Sequence, residues 1–269
     1  MHYHKPLMDL FRNTFGLGGG GINFYKYSPQ RECFVGFDQA YVKADLSSGE
    51  LFQMLRDAAN SNNPLSDTFL GYFLQFKVVK EMQQRKKYTP PNIRNRPHYR
   101  VSIDTTKNLA TGLSQHELLY NLSRNHGAMV YYACPMLFDR SVLYEIDVDL
   151  DDLRLADLVL CPSPYADNDN HFIYYNDRQA MPVWCSEPIE GKAITPRDFA
   201  AVVGGQLGQF GPEESARHLL ELLTHVDAVG LSPDSEVFAG MISPNLLPLV
   251  ADSLTIIRVG AVSSARETT

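Results

Sequence analysis

Cysteine is scarce: Cys33, Cys134, Cys161 and Cys185 are the only four in 269 residues, and no two stand at a short paired spacing. That scarcity excludes a disulfide-stapled scaffold, and without paired Cys and His spacing a structural zinc site is improbable. Three of the four sit in apolar, strand-like contexts and read as reduced core thiols. Long hydrophobic runs are missing as well. No segment approaches the roughly 18 residues that a membrane helix needs, and the first twelve residues lack the apolar centre of a secretory signal. A cytoplasmic protein with no membrane partner is the expectation. There is no internal repeat and no Gly-, Ser- or Pro-rich linker, so residues 1–269 are expected to form one domain, long enough to bury a core without cross-links.

Positive charge is also in short supply, the formal net charge being -7. This argues against a protein that coats DNA nonspecifically, because such binding is driven by clustered Lys and Arg. The distribution, however, is uneven. Between Lys77 and Arg100 stand Lys77, Lys80, Arg85, Lys86, Lys87, Arg94, Arg96 and Arg100 against one acid, Glu81, which leaves the rest of the chain at -14. A solvated basic loop and a polyanion-binding segment both suit that composition.

Periodicity gives a coarse order of elements. Met8 to Phe15 reads as a short helix ended by glycines, and Ile22 to Tyr27 as a strand. Cys33 to Lys43 is strand-prone with a Gly-Phe-Asp break at Gly36 to Asp38, and Leu46 to Ala59 has helical spacing. Thr68 to Val79 is the most hydrophobic strand-like segment of the first half and is expected to be central. The prolines Pro90, Pro91 and Pro97 make the middle of the basic segment a loop, with Tyr99 to Ile103 as a short edge strand. Ser114-Gln115-His116-Glu117 matches a capping box, and Leu118, Leu119 and Leu122 supply the buried stripe of the helix it opens. Ala128 to Cys134 is another buried strand. Beyond Phe138, Val142 to Val148, Leu158 to Cys161, His171 to Tyr175 and Met181 to Cys185 suggest short strands. Pro196 to Gly204, capped by Thr195, and Pro212 to Val226 suggest helices, and Asn245 to Ala261 a helix leading into a strand. The expected class is α/β, a mixed central sheet flanked by helices, with a core over about 22–138 and an α-rich C-terminal extension over about 139–269.

Several local patterns fail on their context. The run Gly16 to Gly21 matches a dinucleotide fingerprint, but the strand follows it and the helix precedes it, the reverse of what that motif needs. Asp147, Asp149 and Asp151 alternate as in a calcium loop, yet the sixth position is Asp152 rather than glycine and the twelfth is Leu158 rather than glutamate. A solvated acidic turn accounts for them.

Two features point to a site. In the strand through Phe69 to Val79, alternation places Gln75 and Lys77 on one face and Leu74, Phe76 and Val78 on the other. A lysine inside so hydrophobic a strand is costly unless it is paired, lines a polar cleft, or faces water at a sheet edge. The second feature is Asp38, a carboxylate beside the bend-permitting Gly36, with Glu32 six residues before it.

The series Glu32, Gly36-Phe37-Asp38, Phe73-Leu74-Gln75-Phe76-Lys77, Gln115 on a capped helix and Val130 to Pro135 resembles the PD-(D/E)XK, or restriction-endonuclease-like, nuclease superfamily over roughly residues 22–138. More narrowly it is similar to bacterial nuclease-like proteins with a Gly-Phe-Asp and Gln-x-Lys core. The resemblance implies a magnesium (or manganese) ion held by Asp38 and Gln75, with Lys77 beside the attacking water, Glu32 as an auxiliary acid and Gln115 in support. It also implies that Asp38 and the Gln-Lys pair converge from neighbouring strands. The implied activity is cleavage of DNA, with RNA as the alternative substrate, in a bacterial restriction or anti-phage setting. Lys80, Arg85, Lys86, Lys87, Arg94, Arg96 and Arg100 would then follow the substrate backbone. No sequence-reading module is visible, so a protein partner or a second copy of the chain is expected to supply any choice of sequence. Two departures stand out: Asp38 and Gln75 are 37 residues apart, which requires an inserted helix. Gln75 replaces the usual acid and removes one charge from the metal site, which leaves a non-cutting, nucleic-acid- or protein-binding subunit as the alternative.

Overall fold

The structure, a computed structural model, describes residues 3–15, 22–26, 53–57, 67–87, 89–93, 97–107, 112–138, 149–166, 170–185, 188–228 and 253–260. Glu32, Asp38, Arg94 and Arg96 lie outside the described residues, as do 142–148 and the helical part expected over 245–252. Residues 53–57 are helical, within the segment whose spacing predicts a helix.

Two sheets share one interior. The first has six strands in the order β1-β11-β2-β5-β6-β10. These are β1 (Ile22–Lys26), β2 (Thr68–Phe76), β5 (Met129–Pro135), β6 (Leu153–Asp157), β10 (Ala193–Ile194) and β11 (Leu254–Val259). The β2–β5 pair is parallel and the other pairs are antiparallel. The second sheet runs β3-β4-β7-β8-β9, all antiparallel: β3 (Val79–Met82), β4 (His98–Ile103), β7 (His171–Tyr175), β8 (Val183–Trp184) and β9 (Ile189–Glu190). The fold is thus mixed α/β, as the sequence predicts. Among the described residues the C-terminal half contributes two α-helices, and it also supplies β6, β10 and β11 to the first sheet.

Alternation along β2 builds both sides of the core. Tyr72 and Leu74 face one layer, where Leu7 and Phe11 of α1 (His4–Thr14) and Phe199, Ala200 and Val203 of α3 (Pro196–Gln209) close over them. Phe69 and Phe73 face the other layer. There Leu118, Leu119 and Leu122 of α2 (Gln115–His126) and Leu219 and Leu222 of α4 (Pro212–Ala228) pack beside Val101, Ile173 and Trp184 of the second sheet. A strand covered on both faces reads as continuously apolar, which is why 68–79 stands out in the sequence.

The helix starts are set by local chemistry. Ser114 Oγ accepts the Glu117 N–H at 3.1 Å, and Glu117 returns the contact to the Ser114 N–H at 2.7 Å. Such a cap is worth about 1 kcal/mol. Thr195 and Asp198 form the same reciprocal box in front of Pro196. Helix α3 continues past its expected end at Gly204 to Gln209, and that glycine is a packing position: a Cβ there would lie 2.7 Å from the ring of Phe15.

Two expectations need correction. The strand at 98–103 is interior, not an edge, because β3 and β7 arrive from either side of it in sequence and pair with it. Residues Leu158–Leu160 form a 3-10 turn, capped by Asp157 Oδ1 accepting the Val159 N–H at 2.9 Å, and the strand is the preceding segment Leu153–Asp157.

Gly71 on β2 lies under α4, and a Cβ on it would meet Leu219 Cδ1 at 2.9 Å and Leu222 Cδ2 at 3.5 Å. Gly71→Val is expected to destabilise the fold by about 1–3 kcal/mol through overpacking. Gly205→Ala, at an exposed helical position with open space around it, should stabilise by up to about 1 kcal/mol. Urea midpoints of the two variants read both signs; equal or reversed shifts would contradict the packing described.

Candidate functional site

Gln75 and Lys77 do share one face of the first sheet. Gln75 stands opposite Tyr132 in the parallel β2–β5 register, and its side-chain oxygen accepts the Ser253 hydroxyl at 2.7 Å. Ser253 immediately precedes β11, so the two strands flanking β2 both touch this glutamine. Lys77 lies one residue beyond the strand and still extends the ladder, its N–H donating to the Ala133 carbonyl at 2.9 Å. Its ammonium rests 4.7 Å from the centre of the Tyr132 ring, a cation–π contact that offsets part of the loss of water. Val78 is 72% exposed: the strand has ended, and the alternation that would bury it no longer applies.

Burial pulls the Lys77 ammonium below the usual lysine range, while the neighbouring Asp104 carboxylate, and then Cys134, act in the opposite direction. Asp104 arrives through the second sheet. Val79 faces Val101 in the β3–β4 register, and stepping back along β3 sets residue 77 level with Ile103, next to Asp104. Its carboxyl is held below the ordinary aspartate range by the Thr106 hydroxyl and N–H, assisted by Lys77. The sequence reading passed over Asp104, since only that register brings it to Lys77.

Beneath the lysine lies a buried polar chain. The Tyr132 hydroxyl is 2.6 Å from His116 Nδ1, and His116 Nε2 is 3.3 Å from the Ser163 carbonyl. A carbonyl only accepts, so Nε2 carries the proton and Nδ1 accepts from Tyr132. Burial holds His116 neutral, its pKa lowered to about 4. The imidazole stacks on Tyr165, whose ring in turn stacks on His171 at 4.0 Å. Tyr165 adopts φ +49°, the one non-glycine positive φ among the described residues, a conformation that tertiary contacts must enforce.

Cys161 Sγ lies 3.8 Å from His116 Nε2, which superficially resembles a thiol–imidazole pair. The thiol instead donates to the Ser163 carbonyl at 3.2 Å, and burial pushes its pKa to about 12. Cys134 is likewise pushed up to about 12 by burial. Neither is a thiolate at neutral pH, so neither serves as a nucleophile.

The remaining predicted residues divide. Gln115 is half-buried in the first turn of α2. Lys80, Arg85, Lys86 and Lys87 are exposed on β3 and the loop after it, and Arg100 is half-buried on β4. The neighbour expected for β2 was a strand carrying Asp38; along 68–73 that side is occupied by β11, and the other side by β5. Among the described residues, no three His, Cys, Asp or Glu side chains gather as a metal would require. The described oxygen donors near the Lys77 ammonium are the Gln75 amide oxygen, which accepts from Ser253, and the Asp104 carboxylate. That set suits a hard, oxygen-seeking ion only when carboxylates from elsewhere complete it.

His116 carries a pH dependence. Its folded pKa lies below the unfolded value of 6.5, so its contribution is fully present above that value and is lost as pH falls toward about 4, at most about 3 kcal/mol. The fall in the urea midpoint between pH 7 and pH 4.5 should therefore be smaller in His116→Gln than in the parent. Equal falls would contradict a buried neutral imidazole.

No helix among the described residues is long and apolar enough to cross a membrane. No family model, curated protein or solved structure matches this chain.

Proposed function

We propose that this chain is a metal-dependent nuclease of restriction-endonuclease-like type that hydrolyses phosphodiester bonds of DNA. The observation that carries the proposal is the pairing of Gln75 with a partly desolvated Lys77 on one face of a doubly covered strand. A half-buried amide and ammonium at the end of so apolar a strand are costly unless they serve a site. In this reading Gln75 offers a neutral oxygen to a magnesium or manganese ion whose anionic ligand is Asp38, with Glu32 as an auxiliary acid. When bound, the ion supplies an activated water and charge stabilisation for in-line displacement.

The chain's own residues set the rest of the chemistry. Tyr132 fixes the height of the Lys77 ammonium over the sheet, and His116 fixes Tyr132. Asp104 favours the charged form of Lys77 against its burial, and that charged form is the one that meets developing negative charge on a phosphate oxygen. Low local dielectric strengthens that interaction. The exposed cations after β3 extend away from Lys77 and suit a polyanionic backbone. A binding subunit that does not cut is the second reading, favoured by the engagement of the neutral Gln75 oxygen with Ser253.

Purified protein should nick plasmid DNA in magnesium or manganese and not in chelator, with an RNA arm run in parallel. Lys77→Met and Asp38→Ala should each lower the rate by about 10²–10³-fold or more with circular dichroism unchanged; full activity in both would discard the site. Intact DNA with persistent binding by the parent protein would select the second reading.

Asp104→Asn yields a separate signature. Removing the carboxylate that favours the charged lysine should move the alkaline limb of the pH–rate profile to lower pH. An unmoved limb would separate Asp104 from the function of Lys77.

A further inference from the structure

One rung of the second sheet carries an arrangement that folding alone does not explain. Lys80 on the edge strand β3 stands directly opposite Arg100 on β4, and Arg100 directly opposite Tyr174 on β7. Side chains so paired lie on the same face, and like charges facing each other across a ladder repel. A lysine on an edge strand guards against sheet-to-sheet pairing, but Arg100 lies in the second strand, where no such guard is needed.

One nitrogen of Arg100 also lacks a partner. The guanidinium lies over the Phe172 ring, 4.5 Å from the centroid, and its Nε is buried without a hydrogen-bond partner. Among the described residues neither Arg100 nor Lys80 has an acid to pair with. Glu81 alternates to the opposite face of β3, and its carboxylate accepts the Gln83 amide at 2.6 Å. The fork is therefore pre-oriented by an aromatic platform, as phosphate recognition by Arg favours. Its flank is a second cation, and among the described residues no carboxylate pairs with it.

We infer that the Lys80–Arg100 rung, with Phe172 as its platform, is a phosphate clamp on the outer face of the second sheet. It is a binding site separate from the Gln75–Lys77 face. The inference deepens the nuclease reading and rests on it for the identity of the ligand, a phosphodiester of a nucleic-acid backbone. The shared chemistry is a phosphate group, so a free phosphate compound is the other source to be separated from it.

Anisotropy of a labelled DNA oligonucleotide, titrated over a range of salt in calcium, reads the clamp directly. Each phosphate contact contributes about 0.7–0.9 to the slope of log affinity against log salt. Lys80→Gln and Arg100→Gln should each lower the slope by about that amount. Arg100→Lys should retain the slope, because the charge remains, yet bind more weakly, because lysine offers no planar fork. Melting temperatures of the glutamine variants should not fall below the parent's, since each removes an unpaired cation. A pyrophosphate arm identifies the source: protection of the parent but not of Arg100→Gln, with oligonucleotide slopes unaffected, would keep the clamp and assign it to a free phosphate compound.

Unchanged slopes together with unchanged pyrophosphate protection in both glutamine variants would overturn the clamp. So would a marked loss of thermal stability in Arg100→Gln, which would make that arginine structural. DNA cleavage with unaltered slopes and with pyrophosphate protection the same in parent and variants would remove the clamp and leave the nuclease reading in place. Altered slopes without cleavage would do the reverse.

Discussion

A single ammonium at the end of a buried strand is the constraint around which this fold is arranged. Lys77 follows nine residues whose side chains close both layers of the core, so its charge leaves bulk water while its backbone is still locked to β5. Two groups meet that cost, the Tyr132 ring from β5 and the Asp104 carboxylate from the end of β4, and the polar Gln75 side chain stands two residues back on β2. Each is held by a further contact, with His116 on Tyr132, Thr106 on Asp104 and Ser253 on Gln75. Support of this depth around one cation is what a site needs to hold its geometry.

The two sheets divide the positive charge. The first presents the Gln75–Lys77 face, and the second, beginning two residues later, carries Lys80 and Arg100 outward. One short connection thus joins a desolvated lysine to an exposed, cationic edge. Lys77 differs in kind from the cations of that edge, being half-buried and seated against the Tyr132 ring.

Much of this was legible in the amino-acid order, and the limits follow from physics. Strand β2 showed itself because burial on both faces removes polar residues, and α2 because a capping box is a local pattern of four residues. The shared face of Gln75 and Lys77 followed from alternation alone. Strand β6 stayed hidden because Arg154 and Asp157 break its apolar run, and the adjoining Leu158-Val159-Leu160 mimics a strand while folding as a turn. Asp104 and Ser253 were illegible for another reason. Their roles depend on registers between segments tens to hundreds of residues apart, and no local propensity encodes such pairings. Strand β11 was expected as a strand, but its place beside β2 was not, for the same reason.

The proposed function requires a cation that takes Gln75 and Asp38 as ligands. Isothermal titration of manganese into the purified protein tests this without reference to any substrate. The account predicts a saturable site that disappears in Asp38→Ala and weakens in Gln75→Leu. Manganese uptake indifferent to both substitutions, or none in the parent protein, would contradict it.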